Sequence, residues 1–140
     1  MEQSDELRDL TLRIYEAVHA GDLSFIERHV SRHEGAVFIG TDPNEWWVGY
    51  EAFLETIRAQ EEEMGGDGLQ IVPKQMQAYR EGSVGWVIDR DSFQRPDGTE
   101  VPFRNSAVFL QEDGEWKLIH LHSSIGVSNE GLFGKDVTAS

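Results

Sequence analysis

The stretch EWKLIHLHSSIGV, residues 115–127, decides the fold that we predict for this chain. It follows a turn-type pair, Asp113-Gly114, and is rich in residues that favour β-strands. Because successive side chains of a strand point to opposite faces, one face is predicted to carry Trp116, Leu118, His120, His122 and Ser124. The other face is predicted to carry Lys117, Ile119, Leu121, Ser123 and Ile125. Both sets mix apolar and polar side chains, so neither face is a plain solvent face.

Three glycines spaced by 16 residues extend this strand into a sheet. Gly82, Gly98 and Gly114 each lie in a turn-type context between β-rich runs. The spacing predicts a four-stranded antiparallel meander, with strands at roughly 69–80, 83–95, 99–111 and 115–127. Strands of this length must twist and curl, and Pro73 and Pro102 indicate bulges or unpaired edge positions.

The first half of the chain has helical periodicity instead. Apolar residues recur at helical spacing in three segments, which begin after Ser4, Asp22 and Gly49, and the third has Glu61-Glu62-Glu63 as a solvated end. A short apolar run at 36–39 predicts one buried strand, and the glycine-rich residues 65–68 break the chain. We therefore predict an α+β domain whose three N-terminal helices pack on the concave side of a curled antiparallel sheet. The open end of such a cone suits a ligand.

Length and composition predict one ordinary globular domain at residues 1–127 and a C-terminal tail at 128–140. A net charge of −14 disfavours nucleic acid and anionic lipid as partners. No apolar run approaches the ~20 residues of a membrane span, and the acidic N-terminus is unlike a secretory signal. Since the chain also has no cysteine, we expect a cytoplasmic protein. For the tail, fraying is the default and a flap over the open end is the alternative.

Three motifs resemble the SnoaL-like branch of the nuclear transport factor 2-like superfamily. They are AVHAGDL at 17–23, WWVGYEAF at 46–53 and WKLIHLHSS at 116–124, within a match of roughly residues 5–127. The last motif is also similar to the final strand of the association domain of calcium/calmodulin-dependent kinase II. The resemblance implies a cone-shaped α+β fold and assembly by packing sheets together. It also implies functions that range from isomerases, cyclases and dehydratases to plain binding or assembly modules, so it does not decide the reaction.

The most obvious chemistry is the pair of histidines in the last strand. His120 and His122 lie two apart on one face, a spacing from which two imidazoles can share a metal ion. Neighbouring strands place Arg90 and Arg104 on that face instead of a third ligand, and two arginines repel a cation. We therefore expect no metal, and the resemblance implies a homodimer through this sheet face. Apolar side chains support the same interface, namely Trp86, Ile88, Val108, Leu110, Trp116 and Leu118.

The opposite face of the sheet is predicted to line the cone with a mostly apolar wall. The ligand-binding candidates are Tyr15 of the first helix, Trp47 near the mouth, and Phe103, Asn105, Leu121 and Ser123 of the meander. In the resembled association domain the positions of Ser123 and Asp89 are basic pocket residues. The resemblance therefore implies a pocket with changed electrostatics, which favours a small apolar or neutral organic molecule over an anion.

Three aspartates are the candidate catalytic residues. Asp89 and Asp91 lie two apart on the pocket face, where burial against aromatic rings would raise a carboxyl pKa to suit acid–base catalysis. The alternative for each is an ion pair with Arg90, Arg104 or a helix residue. Asp42 follows the first strand, where ketosteroid-isomerase relatives carry their proton-transferring aspartate, and its alternative is a turn residue. The helix-one tyrosine of those isomerases falls on Ile14 rather than Tyr15, so a steroid isomerase is not predicted.

Two classes of function stay open. One is a cofactor-independent isomerase, hydratase or cyclase that uses carboxylate acid–base catalysis. The other is a non-catalytic oligomerisation module with a vestigial pocket. No glycine-rich phosphate loop, nucleophile elbow or zinc-peptidase helix occurs in the chain, so no cofactor is expected. An open cone whose aspartates lack arginine partners favours the enzyme, and a filled cone with paired aspartates favours the module.

Overall fold

The computed structural model describes residues 1–64 and 70–137. Its elements in chain order are β1 (Glu2–Gln3), α1 (Asp5–Ala20), α2 (Leu23–His29), β2 (Val37–Ile39), β3 (Trp46–Val48), α3 (Tyr50–Met64), β4 (Gln70–Glu81), β5 (Val84–Gln94), β6 (Glu100–Glu112), β7 (Glu115–Ser124) and α4 (Asn129–Phe133). The predicted α+β class is confirmed. The predicted break at 65–68 lies outside the described residues, as do residues 138–140 of the predicted tail.

Local capping explains where the first two helices begin and end. Ser4 accepts a hydrogen bond from the backbone N–H of Leu7, and α1 ends at Gly21, which adopts a left-handed φ of 72°. Asp22 follows immediately and accepts the N–H of Phe25, so that α2 begins without a connecting loop. This tight junction places both helices over the same face of the sheet.

The sheet has the strand order β1-β4-β5-β6-β7-β2-β3. Strands β4 to β7 form the predicted antiparallel meander. Strand β2 pairs in parallel with β7, with Val37 opposite His120, and β3 pairs antiparallel with β2. The sheet is thus wider than the four predicted strands plus one, and one of its strand pairs is parallel.

A bulge in β4 curls one side of the sheet. Pro73 is paired with Asp91 and Gln75 with Arg90, so Lys74 is the extra residue. The backbone N–H of Lys74 donates to Oδ1 of Asp91 at 3.1 Å, which satisfies a donor that the ladder leaves unpaired. Of the two alternatives predicted for Pro73, a bulge or an unpaired edge position, the bulge is therefore confirmed. Pro102 is paired with Ser92 of β5 and lies past the last β6–β7 pair, Arg104 with Ser124, so it has the edge position on that side.

A second bulge, in β7, corrects the predicted faces of the last strand. Val108 is paired with His120 and Phe109 with Leu118, so Ile119 is an extra residue that reverses the alternation. Leu118 consequently lies on the inner face, where it is 4% exposed. The prediction that Leu118 lies on the same face as His120 is wrong, because it assumed that the alternation of β7 is not interrupted by a bulge.

Trp116 moves to the inner face together with Leu118, and it is 3% exposed. Both were predicted to belong to an outer interface, which is correspondingly less apolar. After the bulge the predicted alternation holds, since Leu121 and Ser123 lie opposite the inner-face residues Ala107 and Asn105.

The core fills the space between the helices and the closed end of the sheet. Phe38 of β2 stacks on Phe53 of α3 with ring centroids 4.1 Å apart, and Leu7, Leu54 and Val87 have no exposed surface. Buried side chains fill this end of the domain. The open space lies at the opposite end, next to the C-terminal ends of β2, β5 and β7. In the described residues, no helix is long and apolar enough to cross a membrane.

Candidate functional site

A cavity of about 540 Å³ lies between the first three helices and the inner face of the sheet. Its volume falls in the range of about 300–1,000 Å³ that is usual for small-molecule sites. Most of the walls are apolar, with side chains that include Ile14, Val18, Ile26, Trp47, Phe53, Ile57, Phe93, Phe103, Leu118 and Leu121. The space is therefore open, as the enzyme hypothesis requires.

A row of polar residues crosses three strands at the wall of this cavity. Asp89 of β5 lies opposite Asn105 of β6, and Asn105 lies opposite Ser123 of β7. The hydroxyl of Ser123 donates to Oδ1 of Asn105, and Nδ2 of Asn105 donates to the hydroxyl of Tyr15 at 2.9 Å. The Tyr15 hydroxyl in turn donates to Oδ2 of Asp89 at 2.5 Å. These four side chains form one continuous chain of hydrogen bonds.

The members of this chain differ in their access to the cavity. Tyr15, Asn105 and Ser123 line it, whereas Asp89 does not and lies behind Tyr15. Asp89 is only 3% exposed, and its Oδ1 has no hydrogen-bond partner among the described residues. The hydroxyl of Tyr15 therefore lies between Asp89 and the cavity.

Burial keeps the Tyr15 hydroxyl protonated. Removal from water raises the pKa of Tyr15 far above its ordinary value, the hydrogen bond from Asn105 opposes this shift, and the charge of Asp91 adds to it. Tyr15 is consequently a neutral donor near pH 7, one that can pass a proton but is not a phenolate base.

Asp91 is the second buried carboxyl group, at 2% exposed. Burial raises its pKa above the ordinary value, and the hydrogen bond from the Lys74 N–H partly opposes the shift. Its Oδ2 has no partner in the part of the chain that the structure describes. Within that part, neither Asp91 nor Asp89 forms an ion pair with an arginine, so the ion-pair alternative does not hold there.

The predicted ligand-binding residues come together around one space. Tyr15, Trp47, Phe103, Asn105, Leu121 and Ser123 all line the cavity. Phe103 stacks on Phe93 with ring centroids 3.9 Å apart, which holds one wall flat and apolar. Sequence alternation placed the meander residues correctly because no bulge lies between them and the open end.

Asp42 is not brought together with the other two aspartates. It lies in the exposed turn after β2, where its Oδ1 accepts the backbone N–H of Asn44 at 2.9 Å. It does not line the cavity. Its geometry is that of the turn residue that formed the alternative interpretation.

Charged residues at the cavity were missed by the sequence prediction. Glu45, Glu61 and Arg95 line it, although Glu61 was assigned to the solvated end of the third helix. A Cβ placed on Gly21 would lie 2.6 Å from Cδ of Glu61, so this carboxylate packs against the end of α1. Spacing held the signal, because Glu61 is one helical step of four residues beyond Ile57 on the same helix face.

The two histidines of β7 are used differently from each other. Nδ1 of His120 donates to the carbonyl oxygen of Val37 at 2.8 Å and so fastens β7 to β2, while His122 is exposed. Among the residues of the described ranges, no group of three His, Cys, Asp or Glu side chains could hold a metal ion.

Solved structures similar to this chain share one fold. A Pseudomonas putida nuclear transport factor 2-like protein of unknown function is 19% identical, with a TM-score of 0.73 over 96% of this chain and 93% of that one. A Cytophaga hutchinsonii nuclear transport factor 2-like protein is 20% identical, with a TM-score of 0.69 over 90% and 100%. A Shewanella frigidimarina protein proposed to be a ketosteroid isomerase is 16% identical, with a TM-score of 0.68 over 83% and 92%. These structural similarities show that the chain has the nuclear transport factor 2-like fold.

Sequence comparison narrows this class to one family. The chain belongs to the SnoaL-like domain family, whose pattern it matches over residues 7–128. The branch predicted from the three motifs is therefore confirmed. No curated protein matches the chain.

Proposed function

We propose that the protein binds a small, mostly apolar and uncharged organic molecule in this cavity and catalyses a proton transfer on it without a cofactor. One observation carries the proposal: the hydrogen bond from Tyr15 to a buried Asp89 that has no arginine partner among the described residues, at the wall of an open cavity. An isomerase, a hydratase or a cyclase needs such a group, because each moves a proton to or from an oxygen or its neighbouring carbon.

The walls of the cavity support this class of ligand. Apolar side chains surround most of the space, while Tyr15, Asn105 and Ser123 offer polar groups along one row. The carboxylates of Glu45 and Glu61 outnumber the guanidinium of Arg95 among the charged groups that line it, and this balance disfavours an anionic ligand. A molecule with an apolar body and one carbonyl or hydroxyl oxygen fits both features.

The hydrogen-bond chain supports a relay between Asp89 and the ligand. Either oxygen of the Tyr15–Asp89 contact can be the donor, depending on whether Asp89 is ionised. With Asp89 ionised, Tyr15 donates to it; with Asp89 protonated, that proton is donated to Tyr15, whose own proton is released towards an oxygen in the cavity. Asn105 donates to Tyr15 in both cases and holds the ring in place.

Asp91 is assigned a secondary role in this proposal. Burial raises its pKa above the ordinary value, but one of its oxygens is committed to the bulge at Lys74. We assign it to the support of the site rather than to the relay. Asp42 has no role in the relay, because its carboxylate is engaged in an exposed turn.

Ligand binding measured by thermal shift tests the proposal. A panel of neutral alicyclic and aromatic ketones would be compared with carboxylates of the same carbon skeletons, using wild-type protein, Tyr15→Phe and Asp89→Asn. We expect ketones to raise the melting temperature of the wild type, and the shift to shrink in both variants. Asp42→Asn is the matched control, since it removes a carboxylate outside the cavity. Binding of carboxylates alone, or equal binding by all variants, would contradict the proposal.

A catalytic assay then separates an enzyme from a binding protein. Any ketone that binds would be incubated in D₂O, and exchange of its α-hydrogens followed by NMR. We expect exchange with the wild type and a loss of at least about tenfold with Asp89→Asn, because general acid–base groups contribute roughly 10²–10⁴-fold. If ketones bind but their α-hydrogens do not exchange, the protein is a binding protein and the proposal that it catalyses a proton transfer is overturned.

A homodimer through the outer face of the sheet is the second proposal, and exposed apolar surface supports it. Ile88 is 51% exposed and Val84 is 41% exposed, with half-buried Trp86, Val108 and Leu110 beside them. Light scattering after gel filtration tests it: Ile88→Asp should halve the molar mass, and Val127→Asp, in the C-terminal segment, should not. A monomeric wild type would contradict it. The cytoplasmic location stays a prediction.

A further inference from the structure

Two arginines lie directly opposite each other on the outer face of the sheet. Arg90 of β5 and Arg104 of β6 are paired across the strands, and both are exposed. Like charges in directly opposed positions destabilise a sheet. Neither arginine forms an ion pair within residues 1–64 and 70–137.

The lack of an acidic partner is unexpected from composition. The chain holds 26 acidic residues against 12 basic ones, so an acidic neighbour would be the common case for any arginine. Several other basic residues do have one, as Lys74 does with Glu100 at 3.2 Å and Arg28 does with Glu115 at 2.8 Å, whereas Arg8 and Arg13 form no ion pair within the described residues. The pair on the outer face is therefore a local concentration of positive charge in a strongly acidic protein.

The two arginines lie in a groove of about 450 Å³. The strand register sets one row across four strands, formed by Gln75, Arg90, Arg104 and Ser124. Gln77 and Ser106 line the groove from the neighbouring row. Each of these side chains can donate a hydrogen bond. Ile88, Asp89 and Asn105 complete the lining, and the carboxylate of Asp89, which is 3% exposed, is bonded to Tyr15 on the inner face of the sheet.

We propose that this arginine groove, defined by Gln75, Arg90, Arg104 and Ser124, binds an oxyanion, the phosphate or carboxylate group of a small molecule. A guanidinium is planar and pairs with either group through two parallel hydrogen bonds. An anion held between the two arginines contacts both and removes their repulsion. The hydroxyl of Ser124 and the amide of Gln75 lie at the two ends of the row and can donate to its remaining oxygens.

The arginine groove opens on the opposite side of the sheet from the cavity, although Asn105 lines both. Asp89 and Asp91 point to the inner face and Arg90, between them in sequence, points to the outer face, so β5 has opposite charges on its two sides. An oxyanion at the groove therefore does not compete with a ligand in the cavity, and the proposal stands whether or not the protein is an enzyme.

Titration with inorganic phosphate, followed by NMR of the arginine Nε–Hε groups at low ionic strength, tests the proposal. We expect saturable shifts at Arg90 and Arg104. Sodium chloride at equal ionic strength should produce none. Arg90→Gln and Arg104→Gln should each weaken binding roughly tenfold, as expected for the loss of a charge-assisted hydrogen bond. Arg95→Gln, which removes an arginine at the cavity, is the matched control and should bind like the wild type.

Two further arms identify the anion and exclude a second copy of the chain. Succinate in place of phosphate shows which oxyanion group binds more tightly. Light scattering of Arg104→Gln shows whether the arginines contact another subunit instead. Shifts that only follow ionic strength, equal weakening by Arg95→Gln, or a changed molar mass without saturable phosphate binding would overturn the proposal.

Discussion

The hydroxyl of Tyr15 lies 2.5 Å from Oδ2 of Asp89, a contact that joins the first helix to the middle of the sheet across 74 positions of the chain. It places a neutral donor between a buried carboxylate and an open cavity. Asn105 and Ser123 continue the chain of hydrogen bonds across the neighbouring strands. The proposed chemistry depends on this one contact more than on any other.

Removal of the Tyr15 hydroxyl should destabilise the fold. Tyr15→Phe keeps the ring but leaves Asp89, whose Oδ1 already lacks a described partner, without the donor to its Oδ2. We expect the free energy of unfolding to fall by about 1–3 kcal/mol, the usual cost of a buried polar group left unpaired. Urea denaturation measures it. Asp89→Asn combined with Tyr15→Phe should lose less than the sum of the single changes, and strict additivity would argue against the contact.

Asp91 should make stability depend on pH in a defined direction. Burial raises its pKa above the ordinary 3.8, so the folded state holds its proton to higher pH than the unfolded state does. The contribution of Asp91 to the free energy of unfolding is therefore full below about pH 3.8, and it falls as the pH rises until the folded carboxyl has ionised.

Asp91→Asn removes this titration. Urea denaturation at several pH values measures the free energy of unfolding of the wild type and of the variant. The difference, wild type minus variant, should fall as the pH rises from about 3.8 to the pH at which the folded Asp91 has ionised, and should stay constant at higher pH. Asp42→Asn serves as the control. A difference that rises with pH would mean that Asp91 is stabilised as a carboxylate.

The bulge at Ile119 predicts unequal effects for two neighbouring changes in β7. Leu118→Ala should cost about 2–4 kcal/mol, because Leu118 is buried on the inner face. His122→Ala should change stability by less than about 0.5 kcal/mol, since His122 is exposed. Thermal unfolding of the two variants measures both. Similar small losses would place Leu118 on the outer face, as an uninterrupted strand would.

A larger side chain at the cavity should be tolerated while ligand binding is lost. Leu121→Phe adds volume where the structure has open space, so we expect the free energy of unfolding to stay within about 1 kcal/mol of the wild type. Phe109→Trp, at the filled end of the core, should cost about 1–3 kcal/mol. Urea denaturation and the ketone panel together check this. A large loss for Leu121→Phe would mean that the cavity is closed in solution.

Much of the fold was predictable because its signals are local. Turn glycines at regular spacing and the alternation of apolar residues predicted the meander, and Pro73 predicted its bulge. Caps at Ser4 and Asp22 predicted where α1 and α2 begin. The parallel pairing of β2 with β7 could not be derived in this way. The two strands are about 80 residues apart in the chain, and no single turn connects them directly.

The candidate site was predicted in part. Asn105 and Ser123 were placed on the pocket face by strand alternation alone, and Tyr15 was named as a lining residue. Glu61 was missed because its position at the end of a charged run suggested exposure. The second bulge was missed because Ile119 is an ordinary β-forming residue with no local mark of irregularity.

The sequence by itself determined the α+β class and the family motifs. It also determined which alternate strand residues near the open end face the pocket, since each of these features depends on neighbours along the chain. Only the tertiary structure decided that Asp89 is held by Tyr15 and, in the part of the chain that the structure describes, not by an arginine, and that Leu118 faces inward. Both depend on where separate elements meet. A hydrogen bond between a helix and a strand, or one extra residue in a strand pair, is set by packing between those elements and leaves no periodic trace in either of them.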